Sequence, residues 1–276
     1  MLIKRVGIIL KKGSEESQRI GGELADWFAK RTIGTVFDAV TPDLDCLVIL
    51  GGDGTLLHVA DQASKYEIPV VGVNLGGLGF LTEVGISEKY LALEAIIAGP
   101  AMIEDRMMIK TRICYPEQNS EWLYALNDVI ISKGNVDRLV QFSTWADDEY
   151  ITTYKADGLI FSTPTGSTAY NLSAGGPIVH PALQSIVVTP ICPFMLETRS
   201  VLLPSSSKLL TRLAGSVNDL KVIVDGRFAW NMEENNSLIV EVSEKPLRLI
   251  CAPGKGYFEI LRSKLNWGGS KNRKLA

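Results

Sequence analysis

Apolar and polar residues alternate with two different periods along the first hundred positions. Arg5–Leu10 and Ile68–Val73 are short apolar runs, and Leu44–Leu50 is almost continuously apolar. A continuous run of that length fits a strand buried on both faces of a parallel sheet. Between these runs, Ser14–Arg31 sets Ile20, Leu24, Trp27 and Phe28 at helical spacing, with Ser14 and Ser17 available as caps. Thr55–Tyr66 and Ile86–Ala98 repeat the helical pattern. Strand and helix taken in turn predict an open, largely parallel α/β sheet over residues 1–100.

The rhythm changes at Gly99-Pro100. Short alternating strands are predicted at Met107–Cys114, Trp122–Ser132, Val140–Trp145, Glu149–Tyr154 and Gly158–Ser162. More follow at Lys221–Val224, Phe228–Asn231, Ser237–Glu241 and Leu247–Ala252, and helical periodicity is scarce before Leu183. Such spacing predicts a β-sandwich-like second domain over residues 101–250. Residues 251–276 read as a C-terminal segment whose Arg262, Lys264, Lys271, Arg273 and Lys274 form a basic, solvated tail. The expected class is therefore α/β followed by all-β.

Composition narrows the chemistry. The chain of 276 residues is 46 % hydrophobic and 21 % charged, too apolar for disorder and long enough for two domains. A net charge of −3 argues against a general nucleic-acid binder. Two histidines, His58 and His180, exclude a site built from several. The four cysteines form no Cys-x-x-Cys pair and read as reduced and structural, which suits the cytoplasm. No export signal is visible at the N-terminus. Gly158 to Leu196 carries no Lys, Arg, Asp or Glu, yet Pro164, Pro177, Pro181, Pro190 and Pro193 interrupt it too closely for a membrane helix. No membrane partner is expected.

Three constellations carry candidate chemistry. Leu50-Gly51-Gly52-Asp53-Gly54-Thr55 falls where a predicted strand gives way to a helix, the ligand-binding end of an open α/β sheet. Its glycines admit a phosphate close to the backbone, and the helix amides attract anions. Asp53 reads either as a carboxylate serving phosphate chemistry or as the helix cap. A second glycine cluster, Gly76-Gly77-Leu78-Gly79, tilts the balance toward a phosphate crevice. Neither a P-loop nor a complete G-x-G-x-x-G/A pattern is present.

Asn127 and Asp128 interrupt an apolar strand pattern, either as readers of a base edge and a sugar diol or as a strand-end turn. Lys155-Ala156-Asp157-Gly158 leads into Ser162-Thr163-Pro164-Thr165-Gly166-Ser167-Thr168-Ala169-Tyr170 and on to Gly175-Gly176-Pro177. That run supplies uncharged donors and open amides suited to an already anionic ligand. As composition alone it is equally a Ser/Thr-rich loop.

In this order the motifs resemble those of NAD kinases, from Val6 to about Trp267. Gly-Gly-Asp-Gly-Thr alone is shared with diacylglycerol, sphingosine and 6-phosphofructo-kinases, whereas the Thr-Pro-Thr-Gly-Ser-Thr-Ala-Tyr run is far more specific. The resemblance implies magnesium-dependent transfer of the ATP γ-phosphoryl group to the adenosine 2′-hydroxyl of NAD. It implies Asp53 as the catalytic carboxylate, with Gly54 beside the phosphates. Asn127 and Asp128 would hold adenine and sugar groups. Lys155 and Asp157 would lie near the nicotinamide end, Asp157 toward a neighbouring subunit's ligand. Thr165 and the stretch Thr168, Ala169, Tyr170, Asn171, Leu172 and Ser173 would line the adenosine pocket. His58 and Arg138 match positions near the phosphates, and His58 reads equally as an ordinary helix residue. Arg227 stands where the family often has Gln or His. No metal ligand is assigned, and the implied partners are NAD, ATP or another phosphoryl donor, and further copies of the chain in a dimer or tetramer. The competing readings are a lipid kinase of the diacylglycerol type and a non-catalytic NAD(P) sensor.

Overall fold

The computed structural model describes residues 3–99, 102–134, 139–195, 197–215, 219–251, 254 and 256–267. The chain divides into two compact units, residues 1–105 with 247–276, and residues 106–246.

The first unit is built on a sheet whose strands run in the order Gly34–Phe37, Arg5–Leu10, Cys46–Leu50, Val70–Asn74, Leu247–Ile250 and Ile103–Arg106. The pairings among the first five are parallel, and Val84–Gly85 joins the end of Val70–Asn74 in the same sense. Every residue of Cys46–Leu50 is buried, as its unbroken apolar run predicts. The helix Glu15–Ala29 begins on Ser14, whose Oγ accepts the Ser17 N–H at 3.2 Å, and Glu15 and Glu16 sit at the positive end of the helix dipole. Ser17 serves another purpose. Its buried Oγ donates to the Leu50 carbonyl at 3.1 Å and accepts the Lys11 N–H at 3.0 Å. Ile20, Leu24 and Phe28 bury one helix face against Val6, Ile8, Val48 and Val71.

Two expectations change here. The helix predicted over Thr55–Tyr66 is two short ones, Asp53–Leu57 and Ala60–Lys65, because Val59 leaves the helical region at φ −120°, ψ 0°. The strand predicted over Leu247–Ala252 forms as Leu247–Ile250 but joins the parallel sheet, so the chain re-enters its first unit after Pro246.

The second unit is two six-stranded sheets. One runs Glu149–Ala156, Val140–Ala146, Leu209–Leu213, Ser237–Val242, Ile109–Cys114 and Leu123–Ala125. The other runs Val201–Pro204, Ser185–Ile191, Gly158–Ser162, Asp128–Lys133, Leu220–Val224 and Arg227–Met232. Pairing within both is antiparallel. Alternate residues of the two sheets, among them Ile109, Phe142 and Tyr154 from the first and Val129, Leu159 and Val188 from the second, share one buried core. The single strand predicted over Trp122–Ser132 divides between the sheets, and Leu126-Asn127 is the passage from one to the other. Among the described residues no helix is long and apolar enough to cross a membrane.

Candidate functional site

The first candidate cluster lies beyond the carboxyl ends of Cys46–Leu50 and Val70–Asn74, where open α/β sheets bind ligands. A cavity of about 260 Å³ opens there beside Gly52, Asp53, Asn74, Gly76 and Gly77. Asp53 is not the helix cap. Gly52 occupies that position without a side-chain bond, and Asp53 begins a helix of five residues. Its carboxylate instead gathers the turn that follows the second glycine cluster. Oδ2 accepts the Phe80 N–H at 2.8 Å. Oδ1 accepts the Leu81 N–H at 3.1 Å, the Thr82 N–H at 3.0 Å and the Thr82 hydroxyl at 2.9 Å. Thr82 Oγ1 in turn accepts from Asn74 Nδ2 at 2.8 Å, while Asn74 Oδ1 takes the Gly76 N–H at 2.7 Å. The two glycine clusters are thus tied through one carboxylate.

The glycines separate into two kinds. A Cβ at Gly51 would stand 2.3 Å from Thr55 Oγ1, and one at Gly79 would stand 2.2 Å from Asp53 Oδ1, so the protein's own packing demands both. At Gly52, Gly54 and Gly77 a Cβ would meet nothing within 4 Å, and none of the three adopts a positive φ. Those positions are glycine for no reason internal to the fold. Bare backbone facing open space suits the close approach of a phosphate. Gly54 is exposed, and so is His58, at the end of the same short helix.

The second cluster is in the second unit. Asp225 and Gly226 link Leu220–Val224 to Arg227–Met232 in a two-residue turn with φ of 45° and 75°, the geometry of a tight hairpin. From that turn the Asp225 carboxylate accepts the N–H groups of Leu126, Asn127 and Asp128 at 2.7, 2.8 and 3.1 Å. Asp225 returns its own N–H to the Asp128 carbonyl at 3.0 Å. The Thr163 hydroxyl donates to the Leu126 carbonyl at 2.5 Å and accepts the Gly166 N–H at 3.0 Å. Gly166 is forced, since a Cβ there would lie 2.1 Å from the Asn127 carbonyl oxygen. Asn127, Asp128, the Thr163–Gly166 turn and Asp225 therefore form one knot, and Thr165 is buried within it.

Burial drives the electrostatics of that knot. The Asp128 carboxyl is pushed up to about 7, first by desolvation and then by the neighbouring Asp225 charge. Burial also pushes Asp225 up, against the downward pull of its three amides and of the Arg227 guanidinium. With three donors aimed at it, Asp225 is the better placed of the two to hold the anion. Arg227 itself is exposed at the start of its strand.

The Ser/Thr-rich run continues as a turn of 3₁₀ helix, Thr165–Thr168, and a short helix, Tyr170–Ser173. Asn171 is fully buried. Its Nδ2 donates to the Ser167 and Pro177 carbonyls, both at 3.0 Å, and its Oδ1 accepts the Thr189 hydroxyl at 2.7 Å. The Asn171 side chain is engaged in clamping the loop, whereas Tyr170 and Ser173 are exposed and Thr168, Ala169 and Leu172 are half-buried. Lys155 and Asp157 are not brought to the knot. They precede Gly158–Ser162, whose five residues span about 17 Å at the usual strand rise. There Asp157 pairs with Lys133, Nζ to Oδ1 2.5 Å, a partner sequence reading missed. Arg138 lies outside the described residues.

Sequence reading also missed Asp225, visible only as part of Val224-Asp225-Gly226-Arg227, a turn signal between two strands. Thr82 and Asn74 had no signal beyond their nearness to glycines.

Among the described residues no group of three or more His, Cys, Asp or Glu side chains is arranged to hold a metal. A glycine-lined crevice at the end of a parallel sheet, organised around one aspartate, marks a phosphate-binding protein of the α/β class.

Comparison with known proteins makes the assignment specific. Residues 10–101 match the family model of the ATP-NAD kinase N-terminal domain, and residues 126–252 that of the ATP-NAD kinase C-terminal domain. The NAD kinase of Geobacter metallireducens is 41 % identical over 284 residues, covering 96 % of this chain and 99 % of its own. That of Syntrophobacter fumaroxidans is 39 % identical over 282 residues, with the same coverage. Among solved structures, yeast NADH kinase complexed with NADH superimposes with a TM-score of 0.88 at 25 % identity, covering 100 % of this chain and 91 % of its own. An NAD kinase from Archaeoglobus fulgidus in complex with ATP shares the fold, with a TM-score of 0.76. The chain belongs to the NAD kinase family.

Proposed function

We propose that this protein transfers the γ-phosphoryl group of ATP to the adenosine 2′-hydroxyl of NAD, giving NADP and ADP. The observation that carries the reading is the Asp53 carboxylate, fixed by four hydrogen bonds beside glycines that have no packing reason to be glycine. Family membership supplies the reaction, and the NADH and ATP held by the yeast and archaeal proteins support the two substrates.

The four donors are shared unequally. Oδ1 takes three and Oδ2 one, and each carboxylate oxygen offers about two acceptor directions, so Oδ1 is saturated. Oδ2 is the oxygen left with capacity to receive the 2′-hydroxyl, orient it and accept its proton as the new oxygen–phosphorus bond forms. The bond from the γ-phosphorus to the β–γ bridging oxygen breaks, and ADP leaves. Phosphoryl transfer depends mostly on positioning and charge neutralisation, so one fixed carboxylate is sufficient side-chain chemistry. Magnesium, when bound, neutralises charge on the donor's phosphates. Within the cavity Glu16 and Asn74 would offer oxygens to such an ion, which would keep most of its waters, while Asp53 keeps its remaining direction for the hydroxyl. Asn127, Asp128 and Thr165 serve the dinucleotide's adenosine, with Tyr170 and Ser173 on the same loop. Asn171 supports that loop.

The reading extends to a homo-oligomer, supported by the exposed Leu202 and Phe228 on the two edge strands of one sheet of the second unit. Asp53→Asn tests the mechanism. Turnover should fall by roughly 10²–10⁴-fold, the worth of a positioned general base, while calorimetric NAD affinity stays within about threefold. Unchanged turnover removes Asp53 from the chemistry.

A further inference from the structure

Two lysines from opposite ends of the chain line the cavity that contains Asp53. Lys11 is the first residue after the Arg5–Leu10 strand, and its backbone is pinned by N–H bonds of 3.0 Å to both the Leu50 carbonyl and Ser17 Oγ. Lys264 comes from the last turn of the C-terminal helix, Tyr257–Leu265. Ile260 and Leu261 bury one face of that helix, while Lys264 is exposed on its surface. The helix belongs to the same unit as the crevice because the chain re-enters that unit at Leu247. A stretch that reads as solvated basic tail thus contributes a cation to the cavity.

The charges lining the cavity are Lys11, Lys264, Glu16 and Asp53. Asp53 is already matched by four donors, and Glu16 stands exposed in the first turn of its helix. Lys11 and Lys264 line the same space as the uncovered backbone at Gly52 and Gly77. Each ammonium is a compact charge with three donors, suited to phosphate oxygens that change position during reaction.

We propose that Lys11 and Lys264 form a cationic clamp for the terminal phosphates of the phosphoryl donor, so that the C-terminal helix is part of the donor site. This inference rests on the kinase reading above and adds the residues that select a polyphosphate donor. The clamp holds the leaving β-phosphate and the γ-phosphate while Asp53 serves the acceptor hydroxyl. Lysine loss should therefore affect donor terms and spare acceptor terms.

The test uses the full chain with Lys264→Gln, Lys264→Arg and Lys11→Gln. Two readouts are taken: KM for ATP and for NAD, and calorimetric binding of inorganic tripolyphosphate, which needs no turnover. Each Gln variant should raise KM for ATP and weaken tripolyphosphate binding by roughly tenfold, the loss of one charge-assisted hydrogen bond. KM for NAD should stay within about twofold, and Lys264→Arg should retain most tripolyphosphate affinity because the charge survives. Circular dichroism checks the fold of each variant. If Lys264→Gln does not fold, Lys264→Arg and Lys11→Gln carry the comparison. Tripolyphosphate affinity unmoved in the folded Gln variants overturns the clamp, even when the wild type makes NADP. A wild type that makes no NADP but loses tripolyphosphate binding with either lysine overturns the kinase reading and leaves the anion site standing.

Discussion

Replacing Asp128 by Asn should stabilise the free protein at alkaline pH and do little under acidic conditions. Asp128 is buried at the start of the Asp128–Lys133 strand, beside Asp225, whose carboxylate holds three amides. Desolvation and the Asp225 charge raise its carboxyl from the ordinary 3.8 to about 7. A raised acid favours folding when it is protonated. Its contribution is complete below the unfolded value and is lost as pH climbs through the folded one. At about 1.4 kcal/mol per tenfold change in an equilibrium constant, ionisation by about pH 8.5 costs the fold roughly 4 kcal/mol relative to strong acid. By the same relation about 1.5 kcal/mol of that cost is already present near pH 5. The wild type should therefore lose about 3 kcal/mol between those two pH values that Asp128→Asn, which never ionises, does not lose. Urea unfolding of both proteins, followed by tryptophan fluorescence at the two pH values, measures the difference. A gap between wild type and variant that is the same at both values would show that Asp128 is not held as the neutral acid.

Further outcomes follow from the same geometry. Thr82→Val removes a hydroxyl that bridges Asn74 and Asp53, so it should cost about 1–3 kcal/mol of stability and lower kcat with little change in KM for NAD. Thr82→Ser should restore both, and a Val variant with wild-type kcat would show that Thr82 does not position Asp53. Gly166→Ala drives a methyl into the Asn127 carbonyl, where backbone surrounds it, and should cost about 3 kcal/mol or more in thermal unfolding. Gly77→Ala meets nothing and should leave stability within about 0.5 kcal/mol while raising KM for ATP. If Gly77→Ala left every kinetic constant unchanged, the claim that this backbone is bare for a ligand would fail.

Much of this architecture is legible in the amino-acid sequence. The buried run through Cys46–Leu50, the change of rhythm near Gly99 and the glycine–aspartate turn all follow from local pattern, because strand burial and turn chemistry leave their marks on adjacent residues. What could not be read depends on partners distant in sequence. Alternation in Leu247–Ile250 marks a strand but does not say which sheet receives it. Ser185–Ile191 was obscured by Pro190, which is tolerated because the neighbouring Val201–Pro204 strand pairs only as far as Val188. Asp225 reaches amides nearly a hundred positions away, so no local pattern announces it. Asp53 was legible as a residue, yet its choice between cap and crevice was decided by Phe80–Thr82. Lys264 reads as tail because the charges after Glu259 are all basic, and the two buried residues that dock its helix, Ile260 and Leu261, are too few to announce it.

Everything proposed for the site turns on transfer of phosphate to one hydroxyl of the dinucleotide. Purified protein incubated with NAD, ATP and magnesium, its product resolved by phosphorus NMR, tests it most directly. A new monoester resonance should appear at the adenosine 2′-position, in step with ADP release, and the product should be accepted by an NADP-specific dehydrogenase. Phosphate appearing at another hydroxyl, on diacylglycerol offered in its place, or on neither acceptor would contradict it.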